Sequence, residues 1–328
     1  MRILVTGGAG YIGSHAVRLF LERGHDVTVY DSLVFGHRAA VPAERLIVAD
    51  LADSHRLDQL FVEKRFDGVV HFAAFAFVGE SVIHPAKYYQ NNVVNTLGLL
   101  ECVRKHQVPR FVFSSTCATY GTPESMPITE DTPQRPINPY GQGKLVIEKA
   151  LADYAHAYKL GFAALRYFNA AGASPDGSLG EDHNPETHLI PLAIDAALGR
   201  IPHLSVFGTD YPTPDGTCIR DYIHVNDLAE AHLLALEKLQ PGQAMHYNLG
   251  TGVGNSVREV CQAVEAVGGK KVPIVESPRR AGDPPVLVAS SAKILRELGW
   301  SPKYRDLQAI VETAWKWRAA HKRGYNDR

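Results

Sequence analysis

Short apolar runs and longer amphipathic ones alternate along the first half of the chain. The segments Arg2 to Thr6, Asp26 to Tyr30, Leu46 to Ala49, Val69 to Phe72 and Phe111 to Ser115 are brief and largely apolar, which predicts buried strands. Between them, over 11–23, 54–64, 88–106 and 140–159, apolar residues recur at three- and four-residue steps, the period of a helix with one buried face. This alternation predicts an α/β fold, a doubly wound parallel sheet covered by helices on both faces.

The texture changes after Phe168. Residues 172–187 and 208–217 are rich in Gly, Pro, Asp and Thr, a composition suited to long functional loops. A first domain over 1–170 followed by a smaller mixed α/β lobe over 171–328 is the expected organisation. The run Met245 to Leu249 is strand-like again and is expected to return to the first sheet, so that the two parts interleave.

With 328 residues, the chain is long enough for both parts. Its 34 Lys and Arg against 35 Asp and Glu leave a net charge of −1, so no nucleic-acid or membrane partner is expected and any anion must be caught locally. The initial apolar run stops at Gly7 and Gly8, too early for a signal peptide or a membrane span, and a cytoplasmic location is expected. Cys102, Cys117, Cys218 and Cys261 form no CxxC pair and have no histidine at ligand spacing around them, which predicts reduced thiols and no metal.

The first chemistry-bearing segment is Gly7-Gly8-Ala9-Gly10-Tyr11-Ile12-Gly13, where the first strand turns straight into a helix. Gly7, Gly10 and Gly13 fall at the tight turn, the close approach to a pyrophosphate and the helix–strand contact of a dinucleotide site. Asp31 ends the second strand about 20 residues on, where a carboxylate accepts hydrogen bonds from the adenosine ribose. Ser32 and Leu33 follow it and supply no cation for a 2′-phosphate, so the cofactor expected is NAD. Asp50-Leu51 and Phe72-Ala73-Ala74 lie at the ends of the third and fourth strands, where they would meet adenine and pyrophosphate.

Asn138-Pro139 reads as a helix start, which places Tyr140 and Lys144 one turn apart on one face. An ammonium beside a phenol favours the phenolate, and an oxidised nicotinamide would add a second positive charge, making Tyr140 a candidate base. The fifth strand ends in Ser114-Ser115-Thr116, so that Thr116 brings a hydroxyl to the same edge of the sheet.

On these motifs, and on the segments 3–15, His71 to Ser81, Tyr88 to Asn92, Phe113 to Gly121, Pro139 to Lys144, Arg166 to Gly172, Phe207 to Val225 and Tyr247 to Ser256, the chain resembles the extended short-chain dehydrogenase/reductase superfamily. Within it the likeness is to the UDP-glucose 4-epimerases. The resemblance implies a Rossmann-type sheet binding NAD tightly, a lobe binding the UDP-sugar, and C4 inversion through a transient UDP-4-keto-hexose. It implies that Tyr140 is the base, that Lys144 also bonds the nicotinamide ribose, and that Thr116 bonds the reacting oxygen. Tyr11, Ile12, Ser32, Asn91, Ser114 and Phe168 join the expected cofactor contacts. On the substrate side it implies Asn169, His188 and Leu189 near the nucleotide and its diphosphate, Phe207 against uracil, Arg220 and Arg280 on the diphosphate, Asp283 on the ribose and Leu287 beside the sugar. A homodimer through the helices at 88–106 and 140–159 is implied as well.

Three positions depart from the family pattern: Thr116 replaces a common serine, Ala76 a lysine, and His188 an asparagine. Leu287 stands where residue size varies with tolerance of a C2 substituent. A 4-epimerase of another UDP-sugar, N-acetylated, pentose or uronate, is the alternative. A 4,6-dehydratase would need an acid–base pair after the strand-end hydroxyl, where this chain has Cys117 and Ala118.

Overall fold

The computed structural model describes residues 1–280 and 283–327. The first part alternates β1 (Arg2–Thr6), α1 (Tyr11–Glu22), β2 (Asp26–Asp31), β3 (Leu46–Val48), α2 (Ser54–Glu63), β4 (Gly68–His71) and α3 (Val78–Ile83). It continues through α4 (Pro85–Tyr88), α5 (Asn95–Lys105), β5 (Arg110–Thr116), α6 (Pro139–Tyr158) and β6 (Gly161–Tyr167). The later part holds β7 (Asn169–Ala171), α7 (Leu189–Ala197), β8 (Leu204–Phe207), β9 (Ile219–His224), α8 (Val225–Lys238) and β10 (Ala244–Leu249). It closes with β11 (Gly254–Ser256), α9 (Val257–Gly268), β12 (Ile274–Ser277), β13 (Val286–Leu287), α10 (Ala292–Leu298) and α11 (Leu307–Ala320).

Seven strands form one parallel sheet in the order β10-β6-β5-β4-β1-β2-β3. The fold is the expected Rossmann-type doubly wound sheet. Its direction of winding reverses between β1 and β4, which opens a crevice at the carboxyl ends of the strands. Each face is sealed by an apolar layer: Val17, Phe20, Leu228 and Leu236 of α1 and α8 on one side, Leu57, Leu99, Ile147 and Leu151 of α2, α5 and α6 on the other. Strand β10, late in the chain, pairs with β6 with Ala244 opposite Phe162.

A smaller assembly stands over the carboxyl edge. There β9 is flanked by β11, β13 and β7, β8 pairs with β12, and α7, α9 and α11 pack around Ile190, Ile194, Val260, Val264 and Ile310. Helix α9 starts in a capping box: the Ser256 side chain takes the Glu259 amide while the Glu259 carboxylate takes the Ser256 amide.

One sequence expectation needs correction. The helical period over 88–106 does not give a single α-helix, because residues Tyr89–Val94 wind as a π-helix between α4 and α5. The wider turn is held from outside. The Asn92 side chain accepts from the Phe75 amide and donates to the Phe75 carbonyl, both at 2.9 Å. Its neighbour Asn91 is thereby turned to the crevice, a common use of π-turns at functional sites.

Candidate active site

A cleft of about 410 Å³ runs along the carboxyl edge of the sheet and under the smaller assembly. Its floor begins at the glycine turn. Gly7 has φ +71°, a left-handed conformation that favours glycine, and a Cβ there would strike the Ala73 backbone. A Cβ at Gly13 would overlap the Gly7 carbonyl oxygen, whereas Gly10 has only that oxygen nearby, at 3.4 Å. Gly10 caps α1 without a side-chain hydrogen bond and no acid lies in the first turn, so the positive end of a twelve-residue helix faces the cleft. These features fit a dinucleotide pyrophosphate.

Asp31 closes β2 as a buried carboxylate whose Oδ2 accepts from the Ala9 amide at 2.9 Å and Oδ1 from the Leu33 amide at 2.8 Å. Burial raises its pKa, and the two amides work against that rise. With its orientation fixed, the remaining lone pairs suit ribose hydroxyls. Gly7, Gly10, Tyr11, Ile12, Gly13, Asp31, Ser32, Asp50, Leu51, Phe72, Ala73, Ala74, Asn91, Ser114, Tyr140, Lys144 and Phe168 all line this one cleft.

Three side chains meet midway along it. Asn138 caps α6, its Oδ1 accepting the Gly141 amide at 2.8 Å with Pro139 in the first turn, and so places Tyr140 and Lys144 on the face that covers β5. Tyr140, Lys144 and the strand-end Thr116 are all buried. The Lys144 Nζ donates to the Ser114 carbonyl at 2.7 Å and lies 4.8 Å from the Phe113 ring centre and 5.9 Å from that of Tyr140. Thr116 Oγ1 accepts from the Ala118 amide at 3.1 Å, leaving its proton free to donate.

The electrostatics differ from the sequence expectation that Lys144 draws the Tyr140 pKa down. Burial dominates and pushes Tyr140 well above its ordinary value, with Tyr167 adding to the rise and Thr116 opposing it. Burial also pushes Lys144 down to about 7, while Glu148, one turn further along α6, pulls it back up. The protein's own groups therefore hold the phenol protonated. A positive charge next to the hydroxyl would be needed to make it a base at neutral pH.

On the opposite wall stand Asn169, His188, Arg220, Asp283 and Leu287. Arg220 reaches to 3.9 Å from Asp283, which also takes Arg280 at 2.9 Å. Leu189, Phe207 and Arg280, expected at the substrate site, do not line the cleft. Leu189 packs instead into the apolar core of the smaller assembly. Phe207 ends β8 half-exposed at the rim, with the Arg280 guanidinium 4.9 Å from its ring centre.

Several lining residues lay outside the sequence reading. Phe35, Phe75 and Phe77 also line the cleft, the Phe35 ring centroid lying 5.7 Å from that of Phe75 and 5.2 Å from that of Phe77 in edge contacts. Tyr167 sits opposite Thr116 in the β5–β6 register and bonds the Ser114 hydroxyl at 2.6 Å. Glu181 and His183 join His188 on the loop after β7. His188 Nδ1 lies 2.6 Å from Glu181 and 3.2 Å from Glu186. Burial disfavours charge on His183, but Glu181 and Glu186 outweigh it and lift this imidazole to about 9. The register of Tyr167 against Thr116 was derivable from paired strands, but the glutamates gave no periodic signal.

Residues 3–250 match the model of the NAD dependent epimerase/dehydratase family. The UDP-glucose 4-epimerase of Lacticaseibacillus casei is 50% identical over 330 residues, covering the full length of both chains. The crystal structure of UDP-glucose 4-epimerase from Brucella ovis in complex with NAD superimposes with a TM-score of 0.92 at 51% identity, over 96% of this chain and 97% of that one. A UDP-glucose-4-epimerase from Stenotrophomonas maltophila, with bound NAD and formylated UDP-arabinopyranose, gives a TM-score of 0.94 at 41% identity over 98% and 99% of the two chains. With its glycine turn, its buried Tyr140–Lys144 pair and this full-length likeness, the chain belongs to the NAD dependent epimerase/dehydratase family.

Proposed function

We propose that the protein is an NAD-dependent UDP-glucose 4-epimerase that inverts the C4 hydroxyl between UDP-glucose and UDP-galactose. The observation that carries this reading is the meeting of Tyr140, Thr116 and Lys144 in one cleft with the glycine turn and Asp31. NAD, when bound, supplies reversible hydride exchange at C4 of the sugar and a positive charge near the base. Tyr140 takes the proton of the 4-hydroxyl and later returns it to the same oxygen. Thr116 donates to that oxygen while it carries developing negative charge, and Lys144 holds the cofactor ribose and keeps a cation close to the phenol. No acidic side chain follows Thr116 to expel a neighbouring hydroxyl, so the 4-keto sugar is reduced again instead of eliminating water.

The part over 1–170, with the strand at 244–249, holds the cofactor, and the lobe over 171–328 holds the UDP-sugar. Asn169, Arg220 and Asp283 are the nucleotide and diphosphate groups within reach of the cleft. Phe207 and Arg280 act, on this reading, as a rim for uracil and phosphate. The enzyme is a homodimer through α5 and α6, whose outer faces leave Leu97 and Tyr158 exposed. It resides in the cytoplasm, in keeping with four unpaired cysteines; among the described residues no helix is long and apolar enough to cross a membrane.

The test is incubation of purified protein with UDP-galactose, UDP-N-acetylgalactosamine and UDP-arabinose without added NAD. Conversion of UDP-galactose with no exogenous cofactor is expected. Preference for UDP-arabinose would replace the hexose, and failure on all three with NAD supplied would overturn the assignment.

A further inference from the structure

The loop joining β7 to α7 carries Glu181, His183, Glu186 and His188 in the spacing Glu-x-His-x-x-Glu-x-His. Both imidazoles turn their Nδ1 atoms to the same two carboxylates. His183 Nδ1 is 3.1 Å from Glu181 and 3.9 Å from Glu186, and His188 Nδ1 is 2.6 and 3.2 Å from the same pair. One ligand atom from each of the four residues falls within 4.8 Å of all the others.

We propose that these four side chains bind one divalent transition metal ion, of the zinc class, that braces the wall of the cleft. Bond lengths of about 2.0–2.1 Å to imidazole nitrogen and carboxylate oxygen put tetrahedral ligand atoms about 3.3–3.4 Å apart. The four His–Glu separations bracket that value, and all four ligand atoms lie within 4.8 Å of one another, so the cluster is already gathered and would draw inward to close around an ion. Imidazole and carboxylate together suit zinc and its neighbours better than calcium or magnesium, which favour all-oxygen sites.

Two further observations point to a cation. Glu186 Oε1 accepts from the Thr187 and His188 amides at 2.8 and 3.0 Å, but its Oε2 is buried with no hydrogen-bond partner among the described residues, on a side chain only 7% exposed. One carboxylate oxygen is thus left without a donor in a place where that is costly. The ion-pair partners of Glu181 and Glu186 among the described residues are the two imidazoles, with no lysine or arginine, so every counter-charge in the cluster is itself a metal-ligand type. The nearby Arg318 guanidinium is committed to Asp195 at 2.5 and 2.9 Å and reaches only the Glu181 backbone carbonyl. A dication would neutralise both carboxylates, displacing protons from the two imidazoles as it binds.

Four protein ligands leave no open position, the arrangement of a structural ion and not a Lewis acid. The ion would tie the loop to the start of α7. His183 also lies edge-on to Tyr11 of α1 and to Phe77, at 6.3 and 6.1 Å between ring centres, so the brace spans both halves of the cleft.

The proposal is tested on the full chain by elemental analysis after purification without a histidine tag, and by titrating Co²⁺ into chelator-treated protein. About one zinc per chain is expected, as is the visible absorption of tetrahedral Co²⁺, saturating at one equivalent. Adding Zn²⁺ to the stripped protein should raise its Tm, and the His183→Gln, His188→Asn double variant should lose both signals. Metal content is read independently of turnover: Tyr140→Phe should retain the ion in full, so failure of the epimerase reading would leave this one standing. No metal above background together with no Co²⁺ spectrum would overturn the proposal, as would equal Co²⁺ binding by the double variant.

Discussion

Lys144 donates to the carbonyl oxygen of Ser114 at 2.7 Å, and this bond pins α6 to β5 at the point where the two elements bring Tyr140 and Thr116 together. The bond is charge-assisted and buried, so the lysine acts as a fixed strut as well as a charge. It also explains why Lys144 alone does not ionise Tyr140: the ammonium is directed at a backbone oxygen two residues before Thr116 and not at the phenol.

Tyr140→Phe removes the base and changes little else, because the ring stays in place and the interaction lost is the one with the Thr116 hydroxyl. Turnover should fall by roughly 10²- to 10⁴-fold. Cofactor content, measured by releasing NAD from denatured protein, should stay at the wild-type level. Unchanged turnover would sink the proposed base.

Lys144→Met should show its effect through the pH dependence of stability. Burial holds Lys144 at about 7 in the folded state against 10.5 for the free side chain. Between those values the unfolded chain binds more protons than the folded one, so this residue makes stability rise with pH there. Its cost is fully present below about pH 7 and relieved towards pH 10.5. The methionine variant should therefore gain more in Tm relative to wild type at pH 6 than at pH 9, while losing turnover at both. Equal changes at the two pH values would contradict the shift.

Behind the acid–base centre, Glu148 and Arg166 form an ion pair at 2.6 Å with side chains 3% and 5% exposed. Glu148 also accepts from the Ser115 hydroxyl at 2.5 Å, and Arg166 donates to the Tyr120 hydroxyl at 2.8 Å. Glu148→Gln leaves Arg166 as a buried cation without a counter-charge and should cost roughly 3–5 kcal/mol. Urea unfolding measures this. A Glu148→Gln, Arg166→Met double variant should recover a large part of the loss, since breaking the pair costs more than replacing it.

How much of this was legible beforehand follows from the kind of signal each feature leaves. The strand and helix periods give the sheet from β1 to β5 and the return of β10, while β6 (Gly161–Tyr167) is not among the predicted strands; a glycine turn between a strand and a helix has one dominant chemical use. Tyr140 and Lys144 were readable because a helix start fixes their common face. The π-turn at Tyr89–Val94 was not, because Asn92 is held by Phe75 across space and the local pattern stays helical. The Tyr140 electrostatics are hidden from the sequence for a related reason: spacing shows a neighbouring charge but not burial, and burial is the larger effect here. Phe207 and Arg280 read as cleft residues from motif position, yet they pair with each other at the rim. Glu181, His183 and Glu186 carry no signal in the sequence beside His188, because loop residues without a period do not show which side chains the fold turns towards one another.

Thr116 offers the sharpest separation of chemistry from architecture. Its Oγ1 accepts the Ala118 amide and so caps the short turn Cys117–Thr119, and its proton is left to serve the reacting oxygen. Thr116→Val keeps the shape and loses both. The lost cap should cost about 1 kcal/mol, visible in denaturant unfolding, whereas the lost donor should lower kcat by about tenfold or more. Thr116→Ser keeps the donor and the cap and gives up only a methyl group, so its kcat should stay within a few-fold of wild type. A serine variant as slow as the valine variant would mean that the methyl contact, and not the hydroxyl, is what the reaction requires of this position.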